Sequence, residues 1–347
     1  MREILLAKSY TIPEAGTFVD IDTDWIIIDG DEDTKILTEN GDVLCHLKPK
    51  SIPNELTTLA VNSYLEAAKE GISNNRGLAA GAQHRNIKTN GKYESGLTVH
   101  SNIIGYMDSL NHKKPCRLTN FSKKHFEEYN AALPFIKHID QLFKETMPKE
   151  YQLQHEAAFK SEYRIDDTVF STVTINYNFR TAIHKDSGDF KGGFGTLAVC
   201  SENIEGGHIL FPKYKLCIKL NTGDFLAMNV HEYHCNSQIH VNDLGYRLSF
   251  VCYLRENMVK CEEINDIIMK LHGTLDIKHW ETDIVFKDIF ASELPVKKYS
   301  ENNKWWTMSS GRFTLSYKNK RYQLYDSETN KTINNLMPAW KYAKSLV

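Results

Sequence analysis

The stretch from Phe170 to Asp186, FSTVTINYNFRTAIHKD, decides the fold. Its first half is rich in β-branched and aromatic residues and reads as an extended strand. It ends on a His-x-Asp triplet, His184 and Asp186. Alternate residues of an extended chain point to one face, so an imidazole and a carboxylate two apart can converge on one ion. The same triplet on a helix cannot, because residues two apart diverge by about 200°. That difference sets aside His138-Ile139-Asp140, which lies in a helical pattern, and His279-Trp280-Glu281 has no later histidine to complete a site.

Downstream, LNTGDFLAMNVHEYHCNSQI reads as a turn at Thr222-Gly223-Asp224, a buried strand from Phe225 to Val230, and then two histidines, His231 and His234. Spacing alone leaves either one open as a third ligand, while His208 in EGGHILF reads as a strand-edge residue. Arg247-Leu248-Ser249 then opens another apolar strand, FVCYL. His-x-Asp, a distant His and Arg-x-Ser in that order are the signature of a double-stranded β-helix that binds Fe(II) and 2-oxoglutarate. Two imidazoles and one carboxylate on one face of the metal leave positions open for the keto acid and dioxygen. Arg247 suits the distal carboxylate of 2-oxoglutarate because a guanidinium is a planar, two-pronged donor. Ser249, on the same strand face, adds a hydrogen bond. The bland alternative is a β-sandwich whose polar residues are satisfied in the core, which explains each residue singly but not the ordered set.

The flanks imply an α+β chain. Residues 1–50 read as short strands, with a hairpin of Lys35-Ile36-Leu37 and Val43-Leu44-Cys45 around Asn40-Gly41-Asp42. Pro53 opens the helix NELTTLAVNSYLEAAKE, and 121–160 is helical with a break at Pro134. Residues 71–120, rich in Gly, Asn and Ser, read as long loops. Antiparallel strands are expected from Tyr163 to Leu254, then a helix (Glu262 to His272) and a hairpin, WWTMSSGRFTLSYKNKRYQLY. The expected division is 1–160 as an N-terminal region completing the core, 161–257 as the jelly-roll-like β-helix, and 258–347 as a C-terminal extension.

Composition excludes several classes. With 42 Lys and Arg against 44 Asp and Glu, a net charge of −2 and 41% apolar residues, the chain is neither a polycation nor disordered as a whole. Seven acidic residues from Asp20 to Asp33 occupy a stretch without a basic one, so the rest of the chain is mildly basic. No run of about 20 apolar residues is present, so no membrane span is expected. The N-terminus lacks the pattern of a secretory leader, which argues against secretion. Seven cysteines without a CxxC read as buried thiols in a reducing compartment rather than as disulfides.

Three segments, FSTVTINYNFRTAIHKDSGDFKGGFG, EGGHILFPKYKLCIKLNTGDFLAMNVHEYHCN and YRLSFVCYL, closely resemble the oxygenase domain of the TET and J-binding-protein (thymine hydroxylase) family. SNNRGLAAG (73–81), SGLTVHSNIIGYMD (95–108) and PCRLTNF (115–121) resemble its N-terminal motifs, so the likeness spans roughly residues 40–257. The resemblance implies a double-stranded β-helix that oxidises the 5-methyl group of thymine or 5-methylcytosine in DNA. It implies Fe(II) and 2-oxoglutarate as cofactors, with ascorbate as a possible reductant or co-substrate, since some algal relatives use it. Position by position it makes His184, Asp186 and His234 the iron ligands, in preference to His231, and Arg247 the 2-oxoglutarate arginine. Arg180 approaches the cofactor carboxylate in this expectation, and Asp189, Arg76 and Asn75 contact the substrate. Arg255 also falls among the substrate contacts, and it stands where readers of methylcytosine carry a histidine. The cysteine-rich zinc region of animal TET proteins and a J-type DNA-binding insert are both absent from this sequence.

A methyl group on a stacked base is out of reach of a buried iron, so the nucleotide must be flipped out. Phosphate contacts are expected from His112 to Arg117, from Lys123-Lys124 and from Lys318 to Arg321. The expected partner is DNA, with no membrane, and the chain a monomer, in the cytoplasm of a prokaryotic or viral setting or in a nucleus. Two other readings remain: a 2-oxoglutarate hydroxylase of a protein side chain, RNA or a small molecule, and a non-catalytic binding module of the same fold.

Overall fold

The computed structural model describes residues 1–73, 76–81, 88–89, 92–93, 99–108, 116–161, 163–261, 298–302, 305–309, 313–318 and 321–334. The N-terminal part contributes β1 (Arg2–Leu5), β2 (Ile26–Ile28), β3 (Thr34–Leu37), β4 (Val43–Lys48) and helix α1 (Asn54–Glu70). A short hairpin, β5 (Lys88–Thr89) with β6 (Lys92–Tyr93), precedes β7 (His100–Met107) and β8 (Arg117–Leu118). Helices α2 (Asn120–Lys124), α3 (Phe126–Ala131), α4 (Leu133–Thr146) and α5 (Pro148–Ala158) follow. The central strands are β9 (Thr172–Tyr177), β10 (Gly195–Gly206), β11 (Ile209–Phe211), β12 (Leu216–Ile218), β13 (Phe225–Met228), β14 (Cys235–Asn236) and β15 (Ile239–Tyr253). A meander of β16 (Lys298–Asn302), β17 (Trp305–Ser309), β18 (Phe313–Lys318), β19 (Arg321–Asp326) and β20 (Lys331–Asn334) ends the described chain.

The major sheet has nine strands in the order β1-β3-β4-β13-β10-β15-β9-β7-β8, and a minor sheet has the order β14-β11-β12-β2. Side chains alternate between faces along each strand, which sorts them into two cores. On β10, Leu197 and Val199 join Leu226 and Met228 of β13 in a core shared with Ile209, Phe211, Leu216 and Ile218 of the minor sheet. Ala198 and Cys200 face the other way with Phe225, Leu248, Phe250 and Cys252, against Tyr64 of α1 and Phe135, Ile136, Ile139 and Phe143 of α4. The minor sheet and the helices therefore cover opposite faces of the major sheet.

The expected hairpin, the first helix and the antiparallel centre are all present, although β1 with β3 and β2 with β12 pair parallel. The helical stretch 121–160 is several helices, one of which begins at Leu133 because Pro134 fits only in a first turn. The expectation of loops throughout 71–120 is corrected, since β7 is an eight-residue strand paired with β9 inside the major sheet. Its Ser, Asn and Gly residues conceal the alternation. Gly105 sits at φ +84°, where an added Cβ would come within 2.4 Å of the Ser171 carbonyl. The hairpin expected at the C-terminus extends to five strands, while the helix expected from Glu262 to His272 lies outside the described residues.

The reading of the cysteines also needs correcting. Cys45, Cys200, Cys217, Cys235 and Cys252 are buried free thiols, but Cys116 and Cys261 form a disulfide. The two are 145 positions apart, and packing of the segment after β15 beside β8 brings them together. Among the described residues no helix is long and apolar enough to cross a membrane.

Candidate active site

A cleft of about 620 Å³ opens between the two sheets, in the size range of small-molecule sites. Its walls follow from strand alternation. Arg247, Ser249, Val251, Tyr253 and Arg255 occur at every second position of β15 and its exit, and all line the cleft. Thr174 and Asn176 of β9 do the same, while Val173 and Ile175 face the helices.

His184 and His234 lie opposite each other on two short segments joined by a pair of backbone hydrogen bonds, His184 N–H to the His234 carbonyl at 3.0 Å and the reverse at 3.1 Å. Their ring centroids are 4.4 Å apart. Nδ1 of His184 is 2.8 Å from the Ala182 carbonyl and Nδ1 of His234 is 2.9 Å from that of Glu232. A carbonyl can only accept, so these contacts place the proton on Nδ1 and leave the Nε2 lone pair for a ligand. Both Nε2 atoms face Asp186, each 3.5 Å from one of its carboxylate oxygens. The three donor atoms lie within 4.8 Å of one another, a two-imidazole, one-carboxylate set able to hold Fe(II).

Burial dominates the His184 imidazole and pushes its pKa down to about 4. Burial alone would raise the Asp186 carboxyl, but hydrogen bonding from His234 and the charges of His234, His184 and Arg76 bring it down to about 2. For His234 burial works downward and contact with Asp186 outweighs it, so its pKa is raised. Asp186 thus favours the ionised state that a metal ligand needs, while a cation would have to displace the proton that His234 shares with it. His231 takes no part, since its Nε2 lies 3.2 Å from the Phe190 carbonyl.

Arg247 is only 2% exposed, and burial pushes its pKa down to about 10. Its Nη2 has no hydrogen-bond partner among the described residues. A buried guanidinium edge without an anion is costly, and a carboxylate in the cleft would offset that cost. Ser249 lines the same wall and accepts from Asn176 Nδ2 at 3.3 Å. Gly207, at φ +69°, lies directly against the Arg247 side chain. This donor geometry fits a keto acid bound between Arg247 and the metal ligands.

Arg180 does not fit its expected role. Its guanidinium reaches away to Asp20 at 2.7 Å and the Val19 carbonyl at 3.0 Å, stacks on Phe18, and bonds Gln238. Strand β9 ends at Tyr177, and Asn178 has φ +46°, so the alternation that would align Arg180 with His184 is broken. Acidic residues of 20–33 also pair Lys215 and Lys219, which explains where that charge is spent.

Arg76 lines the cleft, with Nε and Nη2 unpartnered among the described residues. Asp189 is buried in the wall of the same cleft, its Oδ2 likewise unpartnered among the described residues. Burial and the Asp186 charge, opposed by Arg255, hold its carboxyl well above the usual range. Asp189 and Arg255 are backbone bridge partners. Asn75 lies outside the described residues. Of the expected phosphate contacts, Lys123 is buried, which corrects the expectation for that residue, while the exposed Lys124 pairs Glu70 at 3.0 Å. His112 to Pro115 lie outside the described residues, and Arg117 bonds the Asp108 carbonyl at 3.2 Å. Tyr253, Thr174 and Asn176 were not singled out in the sequence, although counting by twos from Arg247 reaches Tyr253.

Residues 101–256 match the family model Tet_JBP, described as the oxygenase domain of the 2OGFeDO superfamily. A bifunctional helicase and thymine dioxygenase JBP2 of Leishmania braziliensis is 34% identical over 217 residues, covering 60% of this chain and 19% of the relative. Thymine dioxygenase JBP1 of Trypanosoma brucei brucei is 30% identical over 220 residues, covering 62% of this chain and 24% of the relative. The chain therefore spans about a fifth of the length of these relatives. Among solved structures, NgTET1 in complex with 5mC DNA superposes with a TM-score of 0.50 at 14% identity, covering 72% of this chain and 91% of that one. At that identity the likeness speaks for the double-stranded β-helix fold.

Proposed function

We propose that this chain, whose residues 101–256 match the Tet_JBP oxygenase-domain model, is an Fe(II)- and 2-oxoglutarate-dependent dioxygenase oxidising the 5-methyl group of a pyrimidine in flipped-out DNA. Thymine is the first substrate to consider, since the curated relatives above are named thymine dioxygenases. The observation that carries the reading is the buried Arg247 edge, unpartnered among the described residues, sharing one cleft with the His184, Asp186 and His234 cluster.

In this reading His184, Asp186 and His234 hold iron, and Arg247 with Ser249 holds the distal carboxylate of 2-oxoglutarate. When bound, these groups supply dioxygen-dependent oxidation of an unactivated C–H bond, with conversion of 2-oxoglutarate to succinate. The chain's own contribution is positional. The Nδ1 contacts lock both imidazoles, and burial in the wall of β15 holds Arg247 at the cleft. Arg76, Asp189, Tyr253 and Arg255 form the polar wall available to the base. The working partner is DNA, the working unit a monomer, and the setting a nucleus or a prokaryotic or viral cytoplasm. Residues 161–257 form the catalytic core in this proposal, with 1–160 completing it and 258–347 as an extension.

The test incubates the protein with Fe(II), 2-oxoglutarate and oligonucleotides carrying thymine or 5-methylcytosine, followed by nucleoside mass spectrometry. One added oxygen on the base is expected. Consumption of 2-oxoglutarate with both bases unchanged would sink the DNA reading and leave a hydroxylase of another substrate.

A further inference from the structure

Arg255 leaves β15 at the mouth of the cleft, and its guanidinium is not loose. Nε and Nη2 donate to Oδ1 of Asp108 at 3.2 and 3.0 Å. The second oxygen of Asp108 accepts from Asn257 Nδ2 at 3.2 Å, and its backbone carbonyl accepts from Arg117 Nη1 at 3.2 Å. Both carboxylate oxygens and the carbonyl of Asp108 are thus engaged by the two chain segments that meet there. It immediately follows β7, so its position is set by the rigid edge of the major sheet. The rest of the Arg255 head contacts Tyr253 and lines the cleft next to Asp189, its backbone bridge partner.

We propose that Asp108 is a positioning residue: it clamps one edge of Arg255 so that the remaining guanidinium donors face the carbonyl oxygens of the pyrimidine beside Asp189. This rests on the proposed DNA reaction. The physical reason is entropic and electrostatic. An unclamped arginine has many rotamers, among them ones turned toward Asp189, whose carboxyl already feels its charge. Engaged by Asp108, it keeps its charge partner outside the cleft and its free donors inside. An arginine donates only, so it addresses carbonyl oxygens of the base and repels an amine.

The test uses the full chain with Asp108→Asn, Asp108→Glu, Arg255→Ala and the double variant Asp108→Asn with Arg255→Ala. Asp108→Asn is expected to raise KM for the thymine oligonucleotide about tenfold, the loss of about 1.4 kcal/mol of oriented binding. Succinate formed without DNA, and its dependence on 2-oxoglutarate, should match the parent. Asp108→Glu should recover part of the loss, and the double variant should be no worse than Arg255→Ala alone. A purely structural role would lower folding and both activities together, and additive losses would overturn the proposal. A second arm needs no DNA chemistry: the Arg255 Nε–H signal in nitrogen-15 NMR, assigned by its absence in Arg255→Ala, should exchange slowly in the parent and fast in Asp108→Asn. Unchanged exchange overturns the clamp whatever the substrate. A parent protein inert toward both bases overturns the reaction and the base contact, while the NMR arm still decides whether Asp108 holds Arg255.

Discussion

Replacing Gly207 with alanine adds one methyl group at the back of the cofactor arginine. A Cβ there would stand 2.7 Å from Nε and 2.8 Å from Cδ of Arg247, with Ile239 Cγ1 at 3.2 Å. Carbon contacts prefer about 3.5–4.0 Å, so something must move. The backbone of Arg247 cannot, because β15 is paired on both sides, by β10 and β9. The side chain is nearly dry, and it leaves the methyl only by swinging into the cleft. The left-handed backbone at φ +69° costs an L residue about 1–2 kcal/mol, and overpacking adds about 1–3 kcal/mol. Stability should therefore fall by about 2–5 kcal/mol. If Arg247 holds the distal carboxylate, a displaced guanidinium should raise the 2-oxoglutarate concentration for half-maximal succinate formation at least tenfold, equivalent to about 1.4 kcal/mol. Gly41→Ala is the control. It shares a positive φ, +82°, but has nothing within 4 Å of the added carbon, so it should lose stability without changing the 2-oxoglutarate dependence. A folded Gly207→Ala protein with the parent's 2-oxoglutarate dependence would refute the assignment of Arg247.

Two further outcomes follow from the fold. Cys261→Ser opens a closed loop of 145 positions, for which chain entropy gives an upper figure of about 5 kcal/mol and measured bridges usually about 2–4 kcal/mol. Melting of the parent with and without a dithiol should show the same loss, and identical melting would mean that the bridge does not form. Burial, then repulsion from Arg247 and Lys219, pushes the His208 pKa from 6.5 down to about 4. The unfolded chain therefore binds the proton more readily, so the stability this group contributes is present above about pH 6.5 and is lost as pH falls toward 4. The difference between parent and His208→Gln melting curves should shrink across that window; a constant difference would contradict the buried imidazole.

Local pattern made much of the frame readable. The period of two in FVCYL and in TVTINY sorts residues between the helix-facing core and the cleft, and β15 and β9 follow it. The hairpin at Asn40-Gly41-Asp42 and the helix after Pro53 are equally local signals. The strand HSNIIGYM was invisible, because its polar and glycine positions are explained only by what it packs on, Ser171 and Asn176 among them. Arg180 misled for a related reason: one residue at positive φ, Asn178, ends the alternation and turns the next side chains to another face.

The sequence by itself determined which chemical groups are available and which share a strand face, because side-chain direction along an extended segment depends only on neighbouring backbone angles. Arg247 and Ser249 on one face, and the His184–Asp186 pair, needed nothing more. The tertiary structure decided what meets across the chain. It brings His234 rather than His231 to that pair, turns Arg180 toward Asp20, joins Cys116 to Cys261, and sets Asp108 against Arg255. Each of these contacts depends on how loops of tens of residues close and which faces then pack, and no local period encodes that.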